Sequence, residues 1–169
     1  ADGETHQGIF DIPYLSIIPN VTVMAPINGR ELSEMLKHTL HHAKGPTAIK
    51  YSRGEASSLY EDQFEELHNG KGQILKEGTE AVIFAVGNIF EEADKAEKIL
   101  KEEGYEIGLV NPRYIKPFDQ ELIMKLTQTY DKIMIAEEGV LNGGFGMMVS
   151  EFLSEHAYNG EVRCLGIDD

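Results

Sequence analysis

The sequence predicts an α/β protein: the second half of a doubly wound parallel sheet, then a second α/β unit with a mostly parallel sheet and helices on both faces. Three observations predict it. Short β-rich runs alternate with segments whose apolar residues recur at helical spacing. The run Ala-Val-Ile-Phe-Ala-Val at 81–86 is apolar throughout, as strands covered on both faces are. Glycine or proline stands where an element should stop, as Gly104 does after a helical stretch and Pro117 after a strand.

Residues 21–25 form the first β-rich run, following Pro19-Asn20. In the helical stretch 29–43, Leu32, Met35, Leu36, Leu40 and Ala43 fall at helical spacing, and a strand at 47–51 follows. Two parallel strands joined through a helix make a right-handed crossover, so residues 1–54 read as the later half of a doubly wound domain. Residues 55–70 lose the pattern and hold Ser57-Ser58, Glu61, Asp62, Glu65, Glu66, Asn69 and Gly70, which predicts a linker over the surface. From residue 71 a second rhythm begins. Strands are expected at 72–76, 81–86, 106–110, 132–136 and 161–165, and helices at 90–103, 119–129 and 144–156, with Asp119 capping its helix.

The chain has 41% hydrophobic residues in 169, enough for real cores, and no apolar run near the roughly 18–20 residues that span a bilayer. Its 29 acids against 15 bases give a formal charge of −14, which argues against nucleic acid or an anionic membrane as partner. An anionic small substrate would need a local positive pocket. Cys164 is the only cysteine, which excludes an internal disulfide and fits a reducing, cytoplasmic compartment.

The opening Asp2-Gly3-x-Thr5-His6-Gln7-Gly8 reads like a loop at the end of a strand that precedes it, so the chain is expected to be the later part of a longer protein. His6 can exchange protons near neutral pH and Asp2 can orient it or bind a substrate hydroxyl. The alternative is a turn whose Asp and Thr satisfy their own backbone. In Tyr51-Ser52-Arg53-Gly54, the arginine stands at a parallel strand's end, where α/β folds place ligands, and can grip a phosphate or carboxylate through paired hydrogen bonds. The alternative is a surface arginine paired with a nearby acid.

Gly143-Gly144-Phe145-Gly146 opens a helix whose amides could receive an anion, although close packing of helix on sheet needs the same glycines. Adjacent on one strand, Glu137 and Glu138 face opposite ways and read as a cap or an interdomain contact rather than an acid and base pair. His38, His41 and His42 have zinc-like spacing on one helix but no companion motif, which leaves a solvated face. Asn20-Val21-Thr22 matches a glycosylation acceptor by chance ahead of a buried strand.

With these pieces assembled, the chain resembles the 1-deoxy-D-xylulose-5-phosphate synthases, thiamine-diphosphate enzymes of the transketolase group. The resemblance runs nearly end to end: Asp2-Gly-x-Thr-His-Gln-Gly-x-Phe-Asp11, Tyr14-Leu15, Ile18-Pro-Asn20, Met24-Ala-Pro26, His41-His42, Gly45-Pro46, Tyr51-x-Arg-Gly54, Arg113-x-Ile-Lys-Pro117, Glu137-Glu138 and Gly143-Gly-Phe-Gly146.

It implies that residues 1–54 are the C-terminal half of the central, pyrimidine-binding domain, 55–70 a linker, and 71–169 most of a transketolase C-terminal-like domain. The domain that binds the cofactor's diphosphate, its magnesium motif and the cofactor-activating glutamate would lie outside these residues. The piece alone is therefore expected to be inactive and to bind neither thiamine diphosphate nor magnesium.

For the whole protein the resemblance implies a homodimer that decarboxylates pyruvate and joins it to glyceraldehyde 3-phosphate, in isoprenoid and thiamine precursor synthesis. His6 and Asp2 would be catalytic, and Arg53 with Tyr51 would bind substrate, Arg53 gripping the acceptor's phosphate. Ser52 stands where that family usually has proline, and Met147-Met148 where it has small residues. The competing readings are a transketolase, the beta subunit of a 2-oxo acid dehydrogenase, or a non-catalytic dimerisation domain.

Overall fold

The computed structural model describes residues 7–168. Two sheets make up the architecture. In the first, β1 (Thr22–Met24) pairs in parallel with β2 (Thr47–Ile49) through the crossover helix α2 (Gly29–His42), as the sequence predicts. Asn28 caps α2 by accepting the Glu31 N–H at 2.8 Å. Only Met35 of the predicted apolar stripe is buried, while Leu36 and Leu40 are exposed.

The second sheet has five strands in the order β3 (Gln73–Lys76), β5 (Ile107–Asn111), β4 (Ala81–Ala85), β7 (Lys132–Val140), β8 (Glu161–Ile167). All its neighbours are parallel except β3 with β5, so the expected mostly parallel sheet is present. Helix α3 (Ile89–Glu102) covers one face over Ile83, Ala85 and Leu109. Helices α4 (Gln120–Leu126) and α5 (Phe145–Glu155) cover the other, where Phe84, Ile133, Ile135, Phe145 and Val149 form the largest core. Asp119 caps α4 as expected, accepting the Leu122 N–H at 3.0 Å. The helix ends at Leu126, three residues short of the predicted stretch.

Two elements were not legible in the sequence. A short helix α1 (Asp11–Ser16) packs Ile12 into the large core. Strand β6 (Tyr114–Lys116) leaves the second unit and pairs antiparallel with β1, becoming the third strand of the first sheet. Its three residues are too few for a period, and a proline at 112 and another at 117 read as loop. Through β6 and Ile12, Val21, Val23 and Ala25 the two units share one core. The predicted linker is mostly exposed, yet it is pinned by buried Leu67 and by Tyr60, whose hydroxyl donates to Asp94 at 2.5 Å.

Candidate functional site

Parallel strands place their carboxyl ends on one edge, and here those of both sheets meet. The Lys50 N–H donates to Met24 O at 2.8 Å, and the Val86 N–H to Ala136 O at 2.9 Å, keeping β2 beside β1 and β4 beside β7 to their last residues. Tyr51, Ser52, Arg53 and Gly54 leave this edge directly after β2. Ser52 Oγ donates to Glu138 Oε2 at 3.0 Å, joining the exit of β2 to that of β7. A cleft of about 260 Å3 opens there, walled by Pro26, Asn28, Tyr51, Ser52, Arg53 and Asn88. Arg53 is exposed and Tyr51 is 64% exposed, so both can meet a ligand from solvent.

His6 and Asp2 lie outside the described residues. The chain that follows them runs to the same edge: the Val140 N–H donates to Ile9 O at 3.0 Å, two residues beyond Glu138. A Cβ on Gly139 would stand 3.1 Å from Ile9 O, so the glycine permits that approach.

The adjacent glutamates divide their work as alternation on a strand requires. Glu138 makes the contact to Ser52. Glu137 is 3% exposed and fills the amino terminus of α5, its Oε2 accepting the Phe145 N–H at 2.9 Å and its Oε1 the Gly146 N–H at 2.7 Å. Burial pushes its carboxyl above the usual range, and the two amides only partly oppose that shift. The glycines serve close packing: a Cβ on Gly144 would lie 2.6 Å from Glu137 Oε1 and Val140 O, and one on Gly146 2.8 Å from Cys164 Sγ. The amides that could have held an anion thus hold the chain's own.

The three histidines of α2 build no metal centre. His38 Nε2 lies 2.9 Å from Asn69 Oδ1, His41 and His42 are exposed, and among the described residues no group of three or more His, Cys, Asp or Glu could hold an ion. No helix among the described residues is long and apolar enough to cross a membrane.

Sequence reasoning missed a buried ionic knot. Arg113, 3% exposed with φ of 57°, sends Nε to Glu31 Oε1 at 2.7 Å, while Asn111 donates to both oxygens of Glu31 and the Ile27 N–H to one. The far side of the guanidinium donates to Gln73. The signal available was an arginine and an asparagine inside an otherwise apolar stretch at 107–115.

Comparison with known proteins places this geometry. The family model described as the transketolase C-terminal domain matches residues 70–169, and that of the transketolase pyrimidine binding domain matches 1–57. The 1-deoxy-D-xylulose-5-phosphate synthase of Crocosphaera subtropica is 41% identical over all of this chain, and that of Syntrophus aciditrophicus 44% over 99% of it. The chain spans 27% and 26% of those two relatives. A solved structure titled a split gene transketolase, inactive beta4 tetramer, superposes with a TM-score of 0.90 at 30% identity, covering 98% of this chain and 54% of that one.

Proposed function

The chain belongs to the transketolase family, and from that premise we propose that it is part of a 1-deoxy-D-xylulose-5-phosphate synthase, a thiamine-diphosphate-dependent transferase that condenses pyruvate, with decarboxylation, and glyceraldehyde 3-phosphate. One observation carries the proposal: Arg53, exposed in the 260 Å3 cleft where the carboxyl ends of both sheets meet, in a chain 41% identical end to end to such a synthase. Residues 1–54 would then close the pyrimidine-binding domain, 55–70 link, and 71–169 form the C-terminal domain.

When bound, thiamine diphosphate supplies the carbanion chemistry. The described residues do not fit the cofactor's charged end. They offer no acid or imidazole cluster for magnesium, and the glycine-opened helix terminus is filled by Glu137. What they do is bind and orient the acceptor. The Arg53 guanidinium would take the acceptor's phosphate through paired hydrogen bonds and hold its aldehyde in line for attack. Tyr51 walls the same cleft, and Ser52, tied to Glu138, fixes the exit of β2. His6, with Asp2 orienting it, would move a proton at the substrate's carbonyl or hydroxyl oxygen. The whole protein would act as a cytoplasmic homodimer.

Steady-state kinetics of the intact synthase test the reading. Arg53→Ala should raise KM for glyceraldehyde 3-phosphate at least about ten-fold, an energy in the range of one charge-assisted hydrogen bond, and leave KM for pyruvate nearly unchanged. Equal losses on both substrates would overturn the role of Arg53. Release of carbon dioxide from pyruvate that depends on the aldehyde separates this activity from a transketolase, which does not decarboxylate pyruvate.

A further inference from the structure

A phosphate held by Arg53 fixes one end of a three-carbon acceptor and leaves its hydroxyl and its aldehyde to other groups. Two asparagines, Asn28 and Asn88, wall the same 260 Å3 cleft, and each stands at the N-cap of a helix, α2 and α3. Asn28 has extended backbone, with φ −150° and ψ 175°, which lets its Oδ1 accept the Glu31 N–H, while its Nδ2 donates to Leu59 O at 2.8 Å. Both ends of that carboxamide are used. Asn88 has already turned helical, with φ −62° and ψ −25°, and its side chain caps nothing. Asparagine is favoured at such a position for the capping bond, so the one at 88 has its carboxamide left over.

Most other polar walls of the cleft are committed. Ser52 Oγ donates to Glu138, and Ser57 Oγ accepts the Leu59 N–H at 3.2 Å. Among the described residues, Tyr51, Glu55 and Asn88 keep side chains with no hydrogen-bonding partner. Glu55 repels a phosphate, and Tyr51 leaves β2 together with Arg53. Asn88 alone reaches the cleft from the second unit, at the exit of β4, where Gly87 turns the chain with φ of 60° and a Cβ on it would lie 3.7 Å from Pro26 O. Its main chain is held, its carbonyl accepting the Glu91 N–H at 3.1 Å, while the residue stays exposed.

The chemistry of a carboxamide narrows what it takes. A guanidinium only donates and suits a phosphate, whereas a carboxamide donates from nitrogen and accepts at oxygen, which suits an alcohol that does both.

We propose that Asn88 is a specificity-determining residue for the acceptor, its carboxamide pairing with the hydroxyl at C2 of the aldehyde phosphate held by Arg53 and so selecting the D enantiomer. This role rests on the assignment of the Arg53 cleft to the acceptor.

Steady-state kinetics of the intact protein with D- and L-glyceraldehyde 3-phosphate test it, because the two share phosphate and aldehyde and differ only in where the hydroxyl points. The unaltered protein should favour the D form in kcat/KM by at least about ten-fold. Asn88→Ala should lower kcat/KM for the D form about five- to ten-fold, the range of one hydrogen bond, and leave that for the L form and KM for pyruvate nearly unchanged, so that the preference shrinks by the same factor. Should Asn88→Ala fail to fold, Asn88→Ser, which suits a helix start and lacks the carboxamide, reports the same loss. Arg53→Ala should instead weaken both enantiomers alike and leave their ratio standing. If it does so while the Asn88 variant keeps the full preference, or if the unaltered protein shows no preference, the role of Asn88 is overturned and the cleft remains the acceptor's. If Arg53→Ala weakens pyruvate as much as the aldehyde, the acceptor assignment falls and the role of Asn88 falls with it.

Discussion

Behind the first sheet, Glu31 and Arg113 are 1% and 3% exposed, and both carboxylate oxygens and the Nε and Nη2 of the guanidinium are answered from within, whereas at the carboxyl edge Tyr51 is 64% exposed and Ser52 and Glu138 meet in an exposed hydrogen bond. Both regions join the two units, by opposite physics. The knot removes a charge pair from water and requires close geometry to compensate desolvation. The edge leaves its polar groups solvated, so they contribute little to stability and remain able to exchange water for a ligand. Where this chain buries charge it fixes the placement of β6 against α2, and where it leaves charge at a strand exit that charge stays open to solvent.

The largest effect should come from breaking the knot. Arg113→Met leaves the Glu31 carboxylate buried without its cation and should cost about 3–5 kcal/mol in urea denaturation. Adding Glu31→Leu should recover part of that loss, not all, since the Ile27 N–H and the Asn111 amide then lack their acceptor. A loss under about 1 kcal/mol for Arg113→Met would put the knot in the same class as the edge and erase the contrast.

Glu137 stands between the two regimes, buried like the knot but placed at the carboxyl edge. Gly144→Ala would set a Cβ 2.6 Å from Glu137 Oε1 and from Val140 O, one of them backbone that cannot yield. The expected loss is up to about 3 kcal/mol by thermal or urea unfolding, with a local shift at the start of α5. A neutral outcome would mean that α5 slides on the sheet and that Glu137 does not hold it.

The parts of this architecture legible in the sequence were those that follow from a period or a stop signal. The crossover through α2, the strand runs of β4 and β7, the Asp119 cap and the division of labour between Glu137 and Glu138 all follow from local rules. Helix α1 and strand β6 do not. Their six and three residues show no period, and each is held by tertiary contact, α1 through Ile12 in the shared core and β6 by pairing with β1. The position of Arg53 at the exit of β2 was legible because a strand end is a place that sequence can locate. The Glu31–Arg113 pair was not, because its members stand 82 residues apart and only the fold brings them together.

The linker supplies a test on the buried side of the contrast. Burial alone would raise the Asp94 carboxyl, but hydrogen bonds from Lys98, Tyr60 and Lys76 outweigh it and hold the pKa at about 2, against 3.8 unperturbed. A carboxyl lowered on folding contributes stability that is fully present above its unfolded value and lost as pH falls through the folded one. For Asp94, 1% exposed, that contribution is on the order of 2 kcal/mol, disappearing between about pH 4 and pH 2. Asp94→Asn should therefore lower stability at pH 7 and flatten its fall across that acid window. An unchanged acid limb would show that Tyr60 anchors the linker by packing on Phe90 alone.

The smallest effect is expected at the edge itself, and its smallness is the point. Ser52 and Glu138 meet at 3.0 Å in an exposed contact, so a double-mutant cycle on Ser52→Ala and Glu138→Gln should give a coupling below about 1 kcal/mol in unfolding. If Arg53 takes the acceptor's phosphate as proposed, the same two substitutions should nonetheless shift KM for that acceptor in the intact protein, because Ser52 precedes Arg53 and its tie to Glu138 limits the directions in which the guanidinium can leave β2. Ser52→Pro separates restraint from hydrogen bonding. It removes the hydroxyl but stiffens the backbone at the same residue. If restraint is what the site uses, Ser52→Pro keeps acceptor KM near that of the unaltered protein while Ser52→Ala raises it; if both raise it equally, the hydrogen bond to Glu138 is what holds Arg53 in place.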